Sequence, residues 1–258
     1  MRRHLLSMDL PLFPLHTVLC PGVALPLKIF EERYRAMTRR CLERDEPFGV
    51  VLIRHGREVG LGATSIASVG TVAEIREASK YGDGRFDLLV VGTRRFRIEH
   101  VAMGREPYLV GEVTELDEPV GDLGRAQRLS SDLTKRFVRY LNLLQPVAGE
   151  VGLDVDVQVE VDVDEADPDE HEPTARRSTG ESDGPIGVTI PDDPTVLSYL
   201  LSGIIQVDQP RRQALLEAGT TVERIDQLLR LVDREVSLLE RRFRVYRVDP
   251  GLTAIRRN

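Results

Sequence analysis

Leu10-Pro11-Leu12-Phe13-Pro14-Leu15, with the run Val23-Ala24-Leu25-Pro26-Leu27-Lys28-Ile29-Phe30 behind it, sets the character of the chain. Apolar residues alternate with prolines at the period of a strand. A proline cannot donate to a sheet ladder, so both runs predict short edge strands or bulged strands. Cys20-Pro21-Gly22 between them is turn chemistry. The period then changes: Tyr34, Met37, Thr38, Cys41 and Leu42 fall at helical spacing with arginines opposite, and Glu31 and Glu32 suit the positive end of a helix. After Pro47 strands return, over residues 48–53, 65–75, 86–92, 95–101 and 108–116, with Tyr81-Gly82-Asp83-Gly84 as hairpin chemistry. Six or seven strands, one inserted helix and no repeating strand–helix–strand unit predict a mostly antiparallel barrel.

From Asp122 onward the patterning is helical. Ala126, Leu129, Leu133, Phe137, Tyr140, Leu141 and Leu144 form a stripe that ends before Pro146. Asp193-Pro194 reads as an N-cap followed by proline at the first helical position, opening a helix over 195–206. A short helix follows over 211–217. Thr220-Thr221-Val222-Glu223 reads as a capping box for a long helix whose Ile225, Leu229, Val232, Val236, Leu239, Phe243 and Tyr246 repeat at 4-3 spacing. That seam calls for a helix partner, and the 126–144 stripe supplies one within the chain. A coiled-coil contact between copies is the alternative, so the expected state is a monomer or weak dimer. The predicted class is α+β: a barrel over 1–119, then a helical bundle over 120–258 interrupted by an insertion at 146–185.

The 258 residues carry a formal charge of −7, and residues 150–183 alone hold 13 acidic and two basic side chains. The rest is near neutral, without the basic stripe interleaved with aromatics that nucleic-acid binding needs. Valines 155, 157, 159, 161 and 163 alternate with polar residues, which suits an edge strand, and the second half of the insertion has the composition of a solvated loop. Asp154, Asp156, Gln158 and Glu165 approach calcium-loop spacing, but Val159 stands where that loop needs glycine. No apolar stretch is long enough to span a bilayer, and the N-terminus lacks the apolar core of a secretory signal, so a cytoplasmic protein is expected. Cys20 and Cys41 fit free thiols, and they and five scattered histidines form no metal-site spacing.

No lysine follows a glycine, which excludes a P-loop, and no G-x-S-x-G elbow is present. The three lysines, Lys28, Lys80 and Lys135, sit in a strand, beside Ser79 before a turn, and on an arginine-rich helix. None is a credible partner for a Ser–Lys dyad. No catalytic residue, cofactor or metal is expected, and Gly56, Gly60 and Gly62 read as a turn.

Leu10-Pro11-Leu12-Phe13-Pro14-Leu15, Val18-Leu19-Cys20-Pro21-Gly22, the segment from Leu25 through Ile29-Phe30-Glu31, Arg33-Tyr34 and Met37, and Phe48-Gly49-Val50-Val51 resemble the start of the Lon protease N-terminal substrate-binding domain. Ile66-Ala67, Val69-Gly70-Thr71-Val72-Ala73 and Gly92-x-x-Arg95-Phe96-x-Ile98 extend the likeness. The Phe-Glu-x-Arg-Tyr variant is closer to stand-alone bacterial Lon-domain proteins and to the Lon-like domains of RING-finger ubiquitin ligases than to full-length Lon. The resemblance implies a PUA-like pseudo-barrel plus a helical bundle. It also implies a binding role: capture of unfolded protein, without the ATPase and Ser–Lys peptidase that follow in full-length Lon. The acidic insertion departs from the family pattern.

Apolar strand edges suit an extended polypeptide added as a strand. Phe13, Leu15, Val18, Pro21, Leu25, Leu27 and Phe30 are the candidate contacts, although strand alternation must turn about half of them inward. The expected partners are unfolded or extended protein segments, with a protease or another protein as a possible recipient. RNA binding, which PUA-like barrels elsewhere perform, is the alternative, and the near-neutral body weighs against it.

Overall fold

The computed structural model describes residues 7–55, 65–102, 104, 106–144 and 191–246. In chain order the elements are β1 (Ser7–Leu15), β2 (Ala24–Ile29), α1 (Glu32–Arg44), β3 (Phe48–His55), β4 (Ser65–Ile66), β5 (Val69–Lys80), β6 (Phe86–Ala102) and β7 (Leu109–Glu115), then α2 (Leu123–Leu144), α3 (Pro194–Ile204), α4 (Gln209–Glu217) and α5 (Thr221–Tyr246). The expected α+β class holds. Residues 146–185, with their alternating valines, lie outside the described residues, as do Gly56, Gly60 and Gly62.

Five strands close a ring in the order β1, β7, β6, β5, β3, and a parallel β3–β1 pairing completes it. The other pairings are antiparallel. β1 is therefore an interior strand, and the expectation of an edge strand there is corrected. Its two prolines are tolerated because its edges are used in succession: β7 pairs with residues 7–12 and β3 with residues 12–15. A proline whose nitrogen faces the empty edge loses no ladder bond. The residues expected to make one strand at 65–75 divide into β4 and β5, whereas 86–101 form a single strand. β6 pairs with β5 on one edge and shares the other, residues 86–91 with β2 and residues 96–102 with β7.

Phe96 fills the ring together with Leu10, Leu12, Val51, Val72 and Val113. Gly70 makes room for it: a methyl there would lie 2.6 Å from the Phe96 ring and 2.6 Å from the Val50 carbonyl oxygen. A second core lies under α1, where Tyr34, Met37 and Cys41 pack with Phe13, Leu27, Ile29, Phe48, Phe86 and Leu88. Phe13 meets Tyr34 edge-on at 4.3 Å between ring centroids. Leu42, assigned to the apolar face by spacing, is exposed.

The bundle begins with the predicted caps. The Asp193 carboxylate accepts from the Thr195 and Val196 backbone N–H groups, at 2.7 and 2.9 Å. The Thr220 hydroxyl accepts from Glu223 N, and the Glu223 carboxylate reaches back to Gly219 N. Ile225, Val232 and Val236 pack with Leu133, Phe137 and Tyr140, so the described part of the seam is intramolecular. Side-chain pairs Arg125–Asp226, Arg136–Asp233 and Arg139–Glu240 rise together along α2 and α5, so these helices run parallel. α3 runs the same way, with Thr195 beside Thr221 and Gln206 N donating to the Tyr140 hydroxyl.

The last residue of α2 and the first of α3 therefore lie toward opposite ends of the bundle. The 22 residues of α2 span about 33 Å, which an extended chain of roughly ten residues can bridge. Replacing residues 165–184 with a short Gly/Ser linker leaves more than that. The melting temperature is expected to stay within a few degrees, because loop-closure entropy changes slowly with length. Cutting the connection below roughly ten residues is expected to abolish cooperative unfolding in a circular-dichroism melt. Val232→Asp would bury an unpaired carboxylate at a cost of several kcal/mol, seen as lost hydrogen-exchange protection in α2 and α5. A stable variant that only changes from dimer to monomer would contradict the intramolecular seam.

Candidate recognition surface

Of the seven candidate contacts, Phe13, Val18, Pro21 and Leu27 are buried, Leu15 and Leu25 are half-buried, and Phe30 is 66% exposed. Phe13 and Leu27 belong to the core under α1, and Val18 to the layer between barrel and bundle. In this conformation they hold the fold. What stands at the surface is the edge of β2, which among the described residues pairs with β6 alone.

Local chemistry places that edge. Val23 N donates to the Cys20 carbonyl at 3.2 Å, with Pro21 and Gly22 at the turn's centre and Gly22 at φ 74°, a type II turn that needs glycine there. Gly22 N donates to Gly92 O at 2.7 Å and Gly92 N to Val23 O at 3.1 Å, which is a glycine-first bulge. The bulge sets the alternation: the Val23 carbonyl and the backbone groups of Leu25, Leu27 and Ile29 turn to β6, and Ala24, Pro26 and Lys28 turn theirs to the edge that no described strand pairs. Side chains follow the same parity, since Leu27 and Ile29 are buried while Pro26 and Lys28 are exposed. Asp87, opposite Lys28, accepts from the Tyr81 hydroxyl at 2.6 Å. Among the described residues no hydrogen bond or ion pair engages Lys28.

The most strongly perturbed titratable groups lie elsewhere, between barrel and bundle. Arg95 on β6 donates through Nε and Nη2 to Glu118, at 2.6 and 3.1 Å, through Nη1 to the carbonyls of Leu216 and Ala218, and through Nη2 to that of Asp117. All five of its N–H groups are used. Arg224 on α5, fully buried, donates to Leu215 O, to Ser198 Oγ and, at 2.6 Å, to the Tyr199 hydroxyl, with Glu118 at 3.4 Å. Tyr199 donates to Glu118 at 2.6 Å, and its ring lies 3.6 Å from the Arg224 guanidinium carbon. Burial pushes the Tyr199 hydroxyl far above its ordinary range, and desolvation lowers Arg224. Such perturbation often marks catalysis. Here the groups satisfy one another, and the cluster is a clasp.

Neither thiol is poised as a nucleophile: burial pushes Cys20 and Cys41 up to about 11. Ser79 and Lys80 are consecutive on β5 and so face opposite sides of the sheet. Lys135 pairs with Asp132 on its own helix. Among the described residues no three His, Cys, Asp or Glu side chains gather as a metal site. Sequence reasoning missed the clasp. Arg95 stood in the Gly92-x-x-Arg95-Phe96 motif without a role, and Glu118 and Arg224 had no signal at all.

The strand ring with its attached helices is an α+β fold, and the same fold class recurs in the chain's structural relatives. The chain belongs to the family of the ATP-dependent protease La (LON) substrate-binding domain, whose pattern matches residues 9–234. It is 26% identical over 232 residues to the Lon protease of Cytophaga hutchinsonii, covering 90% of this chain and 25% of that one. It is 33% identical over 110 residues to Lon protease 2 of Myxococcus xanthus, covering 42% of this chain and 13% of that one. The chain thus spans a quarter or less of the length of these two relatives. Among solved structures it is similar in fold to a Lon N-terminal domain protein from Xanthomonas campestris, at TM-score 0.53 and 23% identity over 86% of this chain and 97% of that one. The N-terminal domain of a Mycobacterium avium complex Lon protease matches at TM-score 0.56 and 19% identity, over 88% and 98%.

If the clasp joins the two halves, removing its one carboxylate must destabilise both. Glu118→Ala leaves two guanidinium groups without a counter-charge. About 2–3 kcal/mol is expected, below the figure for a fully buried pair because Glu118 is one-third exposed. Hydrogen exchange is expected to quicken in β6 and α5 together.

Proposed function

We propose that this chain is a non-catalytic protein-recognition module that binds unfolded or extended polypeptide segments, or a dedicated protein partner, through the apolar surface at the barrel edge. The observation that carries the reading is an open strand edge ending in the exposed Phe30, in a domain of the Lon substrate-binding family. Half-buried Leu15 and Leu25 lie in the same region of sequence and pack on the core under α1, so they extend the apolar contact. Among the described residues both thiols are held protonated by burial and no Ser–Lys pair is formed, and the sequence has no P-loop motif, which supports a reading of binding. Capture without turnover is the activity that these residues support.

Fluorescence polarisation with labelled casein tests this. Saturable binding is expected, unaffected by ATP and without release of fragments. Phe30→Ser is expected to weaken binding about tenfold, since burying a large apolar side chain contributes ~1.5–3 kcal/mol, while the melting temperature stays unchanged. Single-stranded RNA is expected to bind weakly. Tight RNA binding that falls steeply with salt would put the nucleic-acid reading first.

A further inference from the structure

We propose that the open edge of β2 takes up an extended segment of a client polypeptide as an added strand, with Pro26 fixing its register and limiting its affinity, and Lys28 selecting a carboxylate side chain opposite. This rests on the recognition reading and goes beyond it, because it names the bonds that bind and the chemistry that is preferred. The bulge at Gly22 turns the backbone of Ala24, Pro26 and Lys28 to the open edge. Ala24 and Lys28 each offer an N–H and a carbonyl there, and Pro26 offers a carbonyl only. An incoming strand can satisfy every group except its own carbonyl facing Pro26, so that residue is the weak point of the ladder. Prolines and lysines on an edge strand are the usual means of keeping identical chains from pairing. Here they leave an edge too weak for indiscriminate sheet growth and still able to hold a chain of the right pattern.

That pattern follows from parity. A client residue opposite Lys28 lies on the exposed face beside an ammonium group that no ion pair engages among the described residues, while Asp87 across β6 accepts from the Tyr81 hydroxyl. Its neighbours in the client point to the face of Leu25, Leu27 and Ile29 and are best apolar. The preferred segment alternates apolar and polar residues and carries an acidic side chain, a chemistry complementary to Lys28.

The probe is a labelled ten-residue peptide of alternating valine and threonine with one central aspartate, compared with its lysine counterpart and with a copy N-methylated at alternate residues. Binding to the full chain is measured by polarisation at concentrations where size-exclusion chromatography shows one species. The aspartate peptide is expected to bind several-fold more tightly than the lysine peptide, and Lys28→Glu to reverse the order. N-methylation is expected to abolish binding. Pro26→Val is expected to tighten binding about fivefold by restoring one donor. If the N-methylated peptide binds as well as its parent, or Lys28→Glu leaves the order unchanged, strand addition with this selectivity is wrong, while Phe30-dependent binding of casein would keep the recognition reading. If neither peptide nor casein binds, both fall. The methylated peptide tests the unaltered chain, so misfolding of Pro26→Val would not rescue the proposal.

Discussion

Glu118 is the point on which the rest depends. One carboxylate is shared by two buried guanidinium groups and a buried phenol, drawn from β6, α3 and α5. Two cations facing one anion would be costly to bury on charge alone. The arrangement stands because backbone carbonyls of Leu215, Leu216, Ala218 and Asp117 and the hydroxyls of Ser198 and Tyr199 accept from the two guanidinium groups, and because the Tyr199 ring lies against Arg224. Around it Val18, Cys20, Leu52, Ala67 and Val69 of the barrel meet Tyr199 and Leu216 of the bundle in one apolar layer. The clasp thus supplies direction to a contact that hydrophobic burial alone would leave free to slide.

The β2 edge inherits its position from that contact. The loop between β1 and β2 is held by both halves: Val18 N donates to the Gln209 side chain at 3.1 Å, and the Leu19 carbonyl accepts from the Thr71 hydroxyl at 2.7 Å. A methyl on Gly203 of α3 would come within 2.8 Å of the Val23 side chain. The bundle is therefore packed against the turn from which β2 springs. In the proposed binding mode, a strand with a fixed start loses less conformational freedom on association than a free loop would, which favours affinity without added contact area.

Much of this was legible in the residues. Alternation found the strands, the 3.6-residue period found the helices, and Asp193, Thr220 and Pro21-Gly22 marked their ends, because each of these is a local contest between backbone groups and the nearest side chains. The seam from Ile225 to Val236 and its partner stripe on α2 were legible for the same reason: a stripe of apolar residues on a helix must be covered.

What the sequence by itself determined is the set of elements and their apolar faces. Tertiary structure decided which of those faces meet. Proline in Leu10–Leu15 argued for an edge, yet β1 is interior, since a strand may change partners midway and a proline needs only one unused edge. The same alternation that marked Phe13, Val18 and Leu27 as contacts fits core residues equally well, and only the packing of α1 over Phe13 and Leu27 and of the bundle over Val18 buried them, leaving Phe30 outside. That α2 and α5 run parallel is visible only in tertiary pairs such as Arg125–Asp226, about a hundred residues apart in the chain. The clasp is the extreme case. Arg95, Glu118 and Arg224 are ordinary surface residue types in sequence, and they become a buried network only because closing the barrel and packing the bundle bring their charges together.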